Sequence, residues 1–296
     1  MNAAIFASIG RLHIVAIAGL GTLTFGWLMT GQRPWLLAAV VCLDWFIVNL
    51  LNRAVDLQED LANGITGSEL VASHRGRVVI AGAGLLFGSL AVMHVIMPAI
   101  TPLRLAYHSL GAAYNWPLLP GKTRLKTVYA AKNLASALGF MITLFGYNLA
   151  QMSAANTPFA AGFGWPALAI SAAFFLLFEV SWEVIYDLRD APGDRAAGVR
   201  TFAVVHGEEV AMRIADMLMI ASAAALLAGW LADVIPWRLF VMIAAPVLQF
   251  ALFRRFVAQG LTAAHVIGLT WLGAGLLAAY HGWIALGLPG VSGPPF

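Results

Sequence analysis

Apolar stretches of about 20 residues, long enough to cross a bilayer, recur nine times along the chain, and they decide what it can fold into. A segment crossing hydrocarbon must satisfy its own backbone hydrogen bonds, so each stretch is expected to be a helix. They fall at roughly 11–30, 35–52, 78–97, 100–118, 128–147, 165–186, 209–230, 237–256 and 263–286. Only 10% of the residues are charged, against roughly 25% in a soluble domain. The expected fold is therefore an all-α membrane protein, a bundle of nine transmembrane helices. No polar linker is long enough to mark a boundary, so residues 1–296 are read as a single domain. Pro98 and Pro102 leave almost no loop between the third and fourth stretches, which predicts a tight helical hairpin there. The first stretch is span-length and lacks a small-residue cleavage site after it, so no cleavable signal peptide is expected. The single cysteine, Cys42, excludes an internal disulfide framework and reads as a small core residue.

Nine crossings put the termini on opposite sides, and the cations choose the orientation. With the N-terminus inside, all of the 17 Lys and Arg residues except Arg33, Arg104 and Arg238 fall on the inner side. By the positive-inside rule the loops after the second, fourth, sixth and eighth stretches face the cytoplasm, and a bacterial cytoplasmic membrane is the expected location. The net charge of +3 then serves topology and a local anion site, and nothing points to nucleic acid.

Two acidic ladders end up on that same face. Asn52, Asp56 and Asp60 stand four residues apart at the end of the second stretch, and Asp44 extends their helix face toward mid-span. Positions i, i+4 and i+8 share a side of a helix. Glu179, Glu183, Asp187, Asp190 and Asp194 form the second ladder at the end of the sixth stretch. Carboxylates are costly to desolvate unless a cation meets them. Facing carboxylates that hold Mg²⁺ become a site for a diphosphate, whose charge the metal stabilises as a carbon–oxygen bond breaks. Lys122, Arg124 and Lys126, in the loop after the fourth stretch, lie on the same face.

This arrangement resembles the UbiA superfamily of intramembrane prenyltransferases. The family's Asn-x3-Asp-x3-Asp motif is matched by Asn52, Asp56 and Asp60; its second motif is matched by Asp187, Asp190, Gly193, Asp194, Arg195, Gly198 and Thr201. Its intervening Tyr, basic loop and Asn look like Tyr114, Lys126 and Asn133. The resemblance implies a central cavity under cytoplasmic cap loops, in which two Mg²⁺ ions bind an isoprenyl diphosphate. Ionisation yields an allylic carbocation that a small-molecule or lipid acceptor captures. It further implies Asn52, Asp56 and Asp60 as ligands of one metal and Asp187 with Asp190 or Asp194 as ligands of the other. Lys122, Arg124, Lys126, Arg195, Asn133 and Arg75 are the implied diphosphate contacts, and Asp56, Asp187, Lys126 and Tyr114 the implied catalytic residues. Many members carry an Arg-Pro-Leu-Pro type segment after the first motif. Here that segment is absent, and His74, Arg75 and Arg77 stand as substitutes or as plain membrane-side anchors.

Asp44, Arg104, Tyr107, Glu183 and Tyr186 are expected to border the substrate cavity. Arg104 has two readings, neutralising an acceptor's carboxylate or pairing with an acid such as Asp44. Phe174, Phe175, Phe178 and Trp182 are candidates to line an isoprenoid channel. Glu59 and Glu69 read as solvated helix-end acids, and His108 as a satisfied interior histidine. Two other outcomes stay open: a terpene cyclase that needs no acceptor, and a transporter, which would string its acids across the midplane.

Overall fold

The computed structural model describes residues 3–287. All nine expected segments are helical: α1 Leu12–Thr30, α2 Trp35–Val55, α3 Arg75–Ile96, α4 Thr101–Asn115, α5 Ala131–Ala154, α6 Trp165–Ala196, α7 Glu208–Leu231, α8 Trp237–Gln259 and α9 Ala263–Ala285. Eight of them are long and apolar enough to cross a membrane. The exception is α4, with 15 residues. At 1.5 Å per residue it reaches about 23 Å, short of a hydrocarbon core of about 30 Å. It follows α3 through Met97 and the 3₁₀ turn Pro98–Ile100 alone, so the tight hairpin forms where the prolines predict it.

The bundle is organised around α1, which packs against α2, α9 and α5. Small residues permit this close approach. A Cβ on Gly19 would meet Cys42 Sγ at 2.3 Å, and one on Gly21 would meet Leu144 at 2.8 Å. Cys42 thus fills space against α1, as its apolar surroundings suggest. By contrast α3 turns nearly all of its surface outward. Val95 is 81% exposed and Ile80 75%, the pattern of a helix whose partner is lipid tail.

Two helices depart from regular expectation. In α5 a π-helical stretch, Met141–Gly146, lets the helix bulge, and Trp45 Nε1 donates to Thr143 Oγ1 there at 3.1 Å. The helix α6 runs ten residues past the segment expected at 165–186, through an internal Pro192. Acidic residues at a helix C-terminus oppose its dipole, so propensity does not explain the extension. Packing does, because the side chain of Asn63, after the short helix Leu57–Ala62, lies where a Cβ on Gly193 would stand, 2.4 Å away. That contact docks the end of the first ladder onto the second.

A second polar cluster lies in the middle of the bundle. Asp44 accepts from Arg104 Nε at 3.0 Å, Arg104 Nη2 at 2.5 Å, His108 Nε2 at 3.0 Å and Tyr147 Oη at 3.0 Å. Arg104 also donates to the Ser89 carbonyl at 2.9 Å and to Ser89 Oγ at 3.0 Å. Of the two readings of Arg104, the structure shows the pairing with Asp44.

Candidate active site

The first ladder keeps its stacking although α2 ends at Val55. Asp56 N donates to the Asn52 carbonyl at 2.9 Å and Asp60 N to the Asp56 carbonyl at 2.8 Å, so the i→i+4 pattern carries into Leu57–Ala62. Asn52 Nδ2 donates to Asp56 Oδ2 at 2.7 Å and to Asn115 Oδ1 at 2.7 Å, which ties α2 to the end of α4.

Cations come to these acids from the α4–α5 connection. Its turn needs Gly121, at φ +75°, to reverse the chain, and Leu119 N then bonds the Thr123 carbonyl at 3.2 Å. The chain returning from that turn carries Arg124 and Lys126 inward. Lys126 Nζ donates to Asp56 Oδ1 at 2.6 Å and also to Glu59 Oε2. Arg124 donates to Asp56 Oδ1 at 3.2 Å and to Glu59 Oε1 at 3.0 Å. Asp60 pairs with Arg53 at 2.8 Å.

Across the cavity, Lys132 Nζ lies 2.8 Å from Asp187 Oδ1 and 2.8 Å from Asp194 Oδ2. Asn133 Nδ2 donates to Asp187 Oδ2 at 2.7 Å. Asp190 is taken up by its neighbour Arg189, which sits 4.6 Å from the centre of the Tyr186 ring. Asn52, Asp56, Asp60, Tyr114, Lys126, Lys132, Glu183, Tyr186, Asp187, Asp190 and Asp194 all border one cavity of about 470 Å³.

Among the described residues no group of three or more acidic, His or Cys side chains is gathered closely enough to hold a metal ion. Of the five expected acidic ligands, Asp56, Asp187 and Asp194 face a cation of another segment, Asp60 faces Arg53 of its own ladder, and Asp190 faces its neighbour. Three oxygens that border the cavity are nonetheless buried with no hydrogen-bond partner: Asn52 Oδ1, Asp60 Oδ2 and Asp187 Oδ1, the last held only by its ion pair with Lys132. Unpaired buried oxygens beside a cavity are the donor type that a hard divalent cation takes.

Several expected residues stand elsewhere. Lys122 is exposed at the tip of its turn and Arg195 on the outer side of α6. Arg75, also exposed, donates to the Ala54 carbonyl at 2.9 Å and borders, with Arg124, a separate recess of about 330 Å³ behind Asp56. Asp44 and Arg104, 0% and 1% exposed, border none of these cavities. Their mutual pairing fills the role a ligand would have had. Tyr107 borders a separate pocket of about 100 Å³ between α2, α4 and α5 and not the main cavity.

Glu59 was mis-sorted as a solvated acid: it is half-buried and holds both Lys126 and Arg124. Lys132 was missed altogether, though its place immediately before Asn133 was a usable signal.

A small pocket of about 30 Å³ shares Glu183 and Tyr186 with the main cavity and Trp182 with a chamber of about 290 Å³. Phe174, Phe175, Phe178 and Trp182 of α6 wall that chamber, with Tyr280 and Trp283 of α9 opposite.

The sequence profile of the UbiA prenyltransferase family matches residues 12–264. The chain belongs to that family. It is a prenyltransferase and an integral membrane protein. Among relatives of the UbiA family member described here, digeranylgeranylglyceryl phosphate synthase of Halobacterium salinarum is 27% identical over 230 residues, 75% of this chain and 77% of the relative. A UbiA homologue from Archaeoglobus fulgidus, solved bound to DMAPP and Mg²⁺, aligns with a TM-score of 0.70 at 13% identity, covering 97% of this chain and 99% of that one. The apo UbiA homologue from Aeropyrum pernix K1 aligns at 0.63 with 15% identity, over 92% and 97%. These two likenesses establish the all-helical fold.

Proposed function

We propose that this UbiA member transfers an isoprenyl group from a polyprenyl diphosphate, held with Mg²⁺, to an acceptor inside the membrane. The observation that carries the reading is the convergence of two acidic helix ends on one cavity, with Lys126 and Lys132 between them. Asn52, Asp56 and Asp60 would hold one Mg²⁺, and Asp187 with Asp194 the other; the unpaired oxygens of Asn52 and Asp60 fit that role. When bound, the metal offsets the charge that grows on the departing diphosphate.

Lys126, Arg124 and Lys132 are parked on carboxylates of the cavity wall. A diphosphate offers the same cations more acceptor oxygens, so they exchange partners when the donor enters. Asn133 fixes Asp187, and Asn115 fixes Asn52. The small pocket and the aromatic chamber beyond it would take the apolar tail, and their rings would keep water from the prenyl chain. The bound DMAPP and Mg²⁺ of the Archaeoglobus fulgidus homologue support this donor class. The name of the Halobacterium salinarum relative supports a long prenyl chain. The basic residues bordering the cavity support an active site facing the cytoplasm.

The test is Mg²⁺-dependent binding of farnesyl and geranylgeranyl diphosphates by the purified full chain, and release of diphosphate once a phenol or glycerol-lipid acceptor is supplied, each with and without a chelator. Release that stops on Mg²⁺ removal is expected. Release unaffected by both Asp56→Ala and Asp187→Ala overturns the reading. A hydrocarbon formed with no acceptor present would move it to a cyclase on the same ionisation site.

A further inference from the structure

Glu179 of α6 carries a carboxyl that nothing in the protein holds. It is 6% exposed, and among the described residues no hydrogen bond or ion pair reaches it. It borders both the small pocket of about 30 Å³ and the aromatic chamber of about 290 Å³. Its oxygens are not among the atoms sealed without a partner, so they face that open space. The surroundings offer no cation. Glu183, one turn nearer the main cavity, is itself an acid and acts on Glu179 through space. Tyr186 and Tyr280 are the other ionisable groups on these walls, and α1, α5 and α8 add only uncharged side chains.

A space that holds only an alkyl tail needs no carboxyl. Water entering the open chamber can solvate a carboxylate there, but a prenyl tail filling the same space removes that water and supplies no donor. An isolated carboxylate is too costly to keep charged in apolar surroundings, and such a group takes up a proton instead. The tail and the charge on Glu179 therefore exclude each other. Reach decides which donors meet this condition. Glu179 stands about 12 Å along α6 from Asp187, at about 1.5 Å per residue. With the diphosphate held at Asp187, a dimethylallyl tail, about 4 Å long at about 1.5 Å per carbon–carbon bond, stops short of Glu179. A geranylgeranyl tail, four such units in line, passes it.

We propose that Glu179 is a specificity residue for donor length, which must carry a proton for a prenyl tail to enter the chamber. The inference rests on the prenyl-transfer reading of the main cavity. Binding of a long donor is then linked to uptake of one proton, and binding of a short donor is not. Below the pH at which Glu179 of the empty protein ionises, the tail enters freely. Above it, affinity for the long donor falls about tenfold per pH unit, because each binding event must first neutralise the carboxylate.

The experiment is equilibrium binding of labelled geranylgeranyl and dimethylallyl diphosphates, with Mg²⁺, to the full chain in nanodiscs, corrected with empty nanodiscs. The range is about pH 5 to pH 9, over which carboxyls ionise between water and an apolar interior. The two donors share one head group, so the ratio of their affinities cancels titration of the diphosphate and of the metal-site acids. In the parent the long-to-short ratio should fall about tenfold per pH unit at the alkaline end. In Glu179→Gln it should not change with pH, and dimethylallyl diphosphate, bound as in the parent, reports that the variant is folded. A flat ratio in the parent, or a slope that persists in Glu179→Gln, overturns the proposal. So does loss of dimethylallyl diphosphate binding in Glu179→Gln, which would make Glu179 part of the head-group site or of the fold. If neither donor binds the parent, the main-cavity reading fails and the inference with it, whereas a flat ratio with both donors bound defeats the inference alone.

Discussion

The main cavity and the Asp44 cluster are made from the same ingredients and put them to opposite uses. In the mid-bundle cluster, Asp44 is surrounded by Arg104, His108 and Tyr147, and Ser89 takes up the rest of the guanidinium. None of the Asp44, Arg104, His108 or Tyr147 polar atoms is among those buried without a partner. In the cavity, Lys126 and Lys132 each straddle two carboxylates beside a void. Oxygens of Asn52 and Asp60 there lack partners. A saturated polar network fixes one arrangement of helices, and an unsaturated one beside space is ready to exchange partners with a ligand. Depth in the membrane therefore does not tell a structural acid from one proposed for catalysis, and saturation is the criterion that the following variants test.

The largest effect should come from breaking the saturated network. Asp44→Ala strands Arg104 within the bundle and should cost about 3–5 kcal/mol of stability, read as a lowered unfolding midpoint in detergent. Replacing Arg104 by Met in the same chain should recover much of it, because the stranded charge goes too. An unchanged midpoint in Asp44→Ala would break the comparison.

Next come the cavity acids, where the loss should fall on chemistry. Asp56→Ala and Asp187→Ala should each slow diphosphate release on the order of 10³-fold. Their stability should change by only about 1 kcal/mol, since Lys126 keeps Glu59 and Lys132 keeps Asp194. Lys126→Met and Lys132→Met should follow, weakening donor binding about tenfold to a hundredfold, the worth of a charge-assisted hydrogen bond. Equilibrium binding of labelled geranylgeranyl diphosphate checks them. A lysine variant that lost stability but kept donor affinity would move that lysine to the structural side.

The sequence carried one side of this contrast better than the other. Helix positions were legible because hydrophobic runs end where lipid ends; α1, α3, α7 and α9 start and stop within a few residues of expectation. The overrun of α6 was hidden, since Asp187 to Asp194 are held helical by Lys132 and by the packing of Asn63 on Gly193, contacts between distant segments. The acidic ladders stood out as costly residues at regular spacing. Of their cations Lys126 stood out in its basic loop, whereas Lys132 looks like any basic residue near a membrane face until the fold turns it inward. Asp44 and Arg104 were visible as costly intramembrane charges and their pairing was one of two readings, but across a separation of 60 residues nothing in the sequence chose between them.

Glu59 gives the smallest effect and the sharpest division, because the two kinds of network predict opposite signs for losing an acid. In a saturated cluster, neutralising the carboxylate removes a partner and harms the site. In the cavity, Glu59 holds Lys126 and Arg124, the cations proposed to transfer to the diphosphate, so it competes with the donor for both. Its side chain is 17% exposed, and partly solvated ion pairs are worth only about 0.5–1 kcal/mol. Glu59→Gln keeps the shape and removes the charge, and should therefore tighten donor binding by about twofold to fivefold. Because the diphosphate would leave from the same cations proposed to bind it, slower product release should accompany the gain, seen as a burst in pre-steady-state mixing with donor in excess. Weaker donor binding in Glu59→Gln would instead make Glu59 part of the metal-binding set, extending the first ladder from three residues to four.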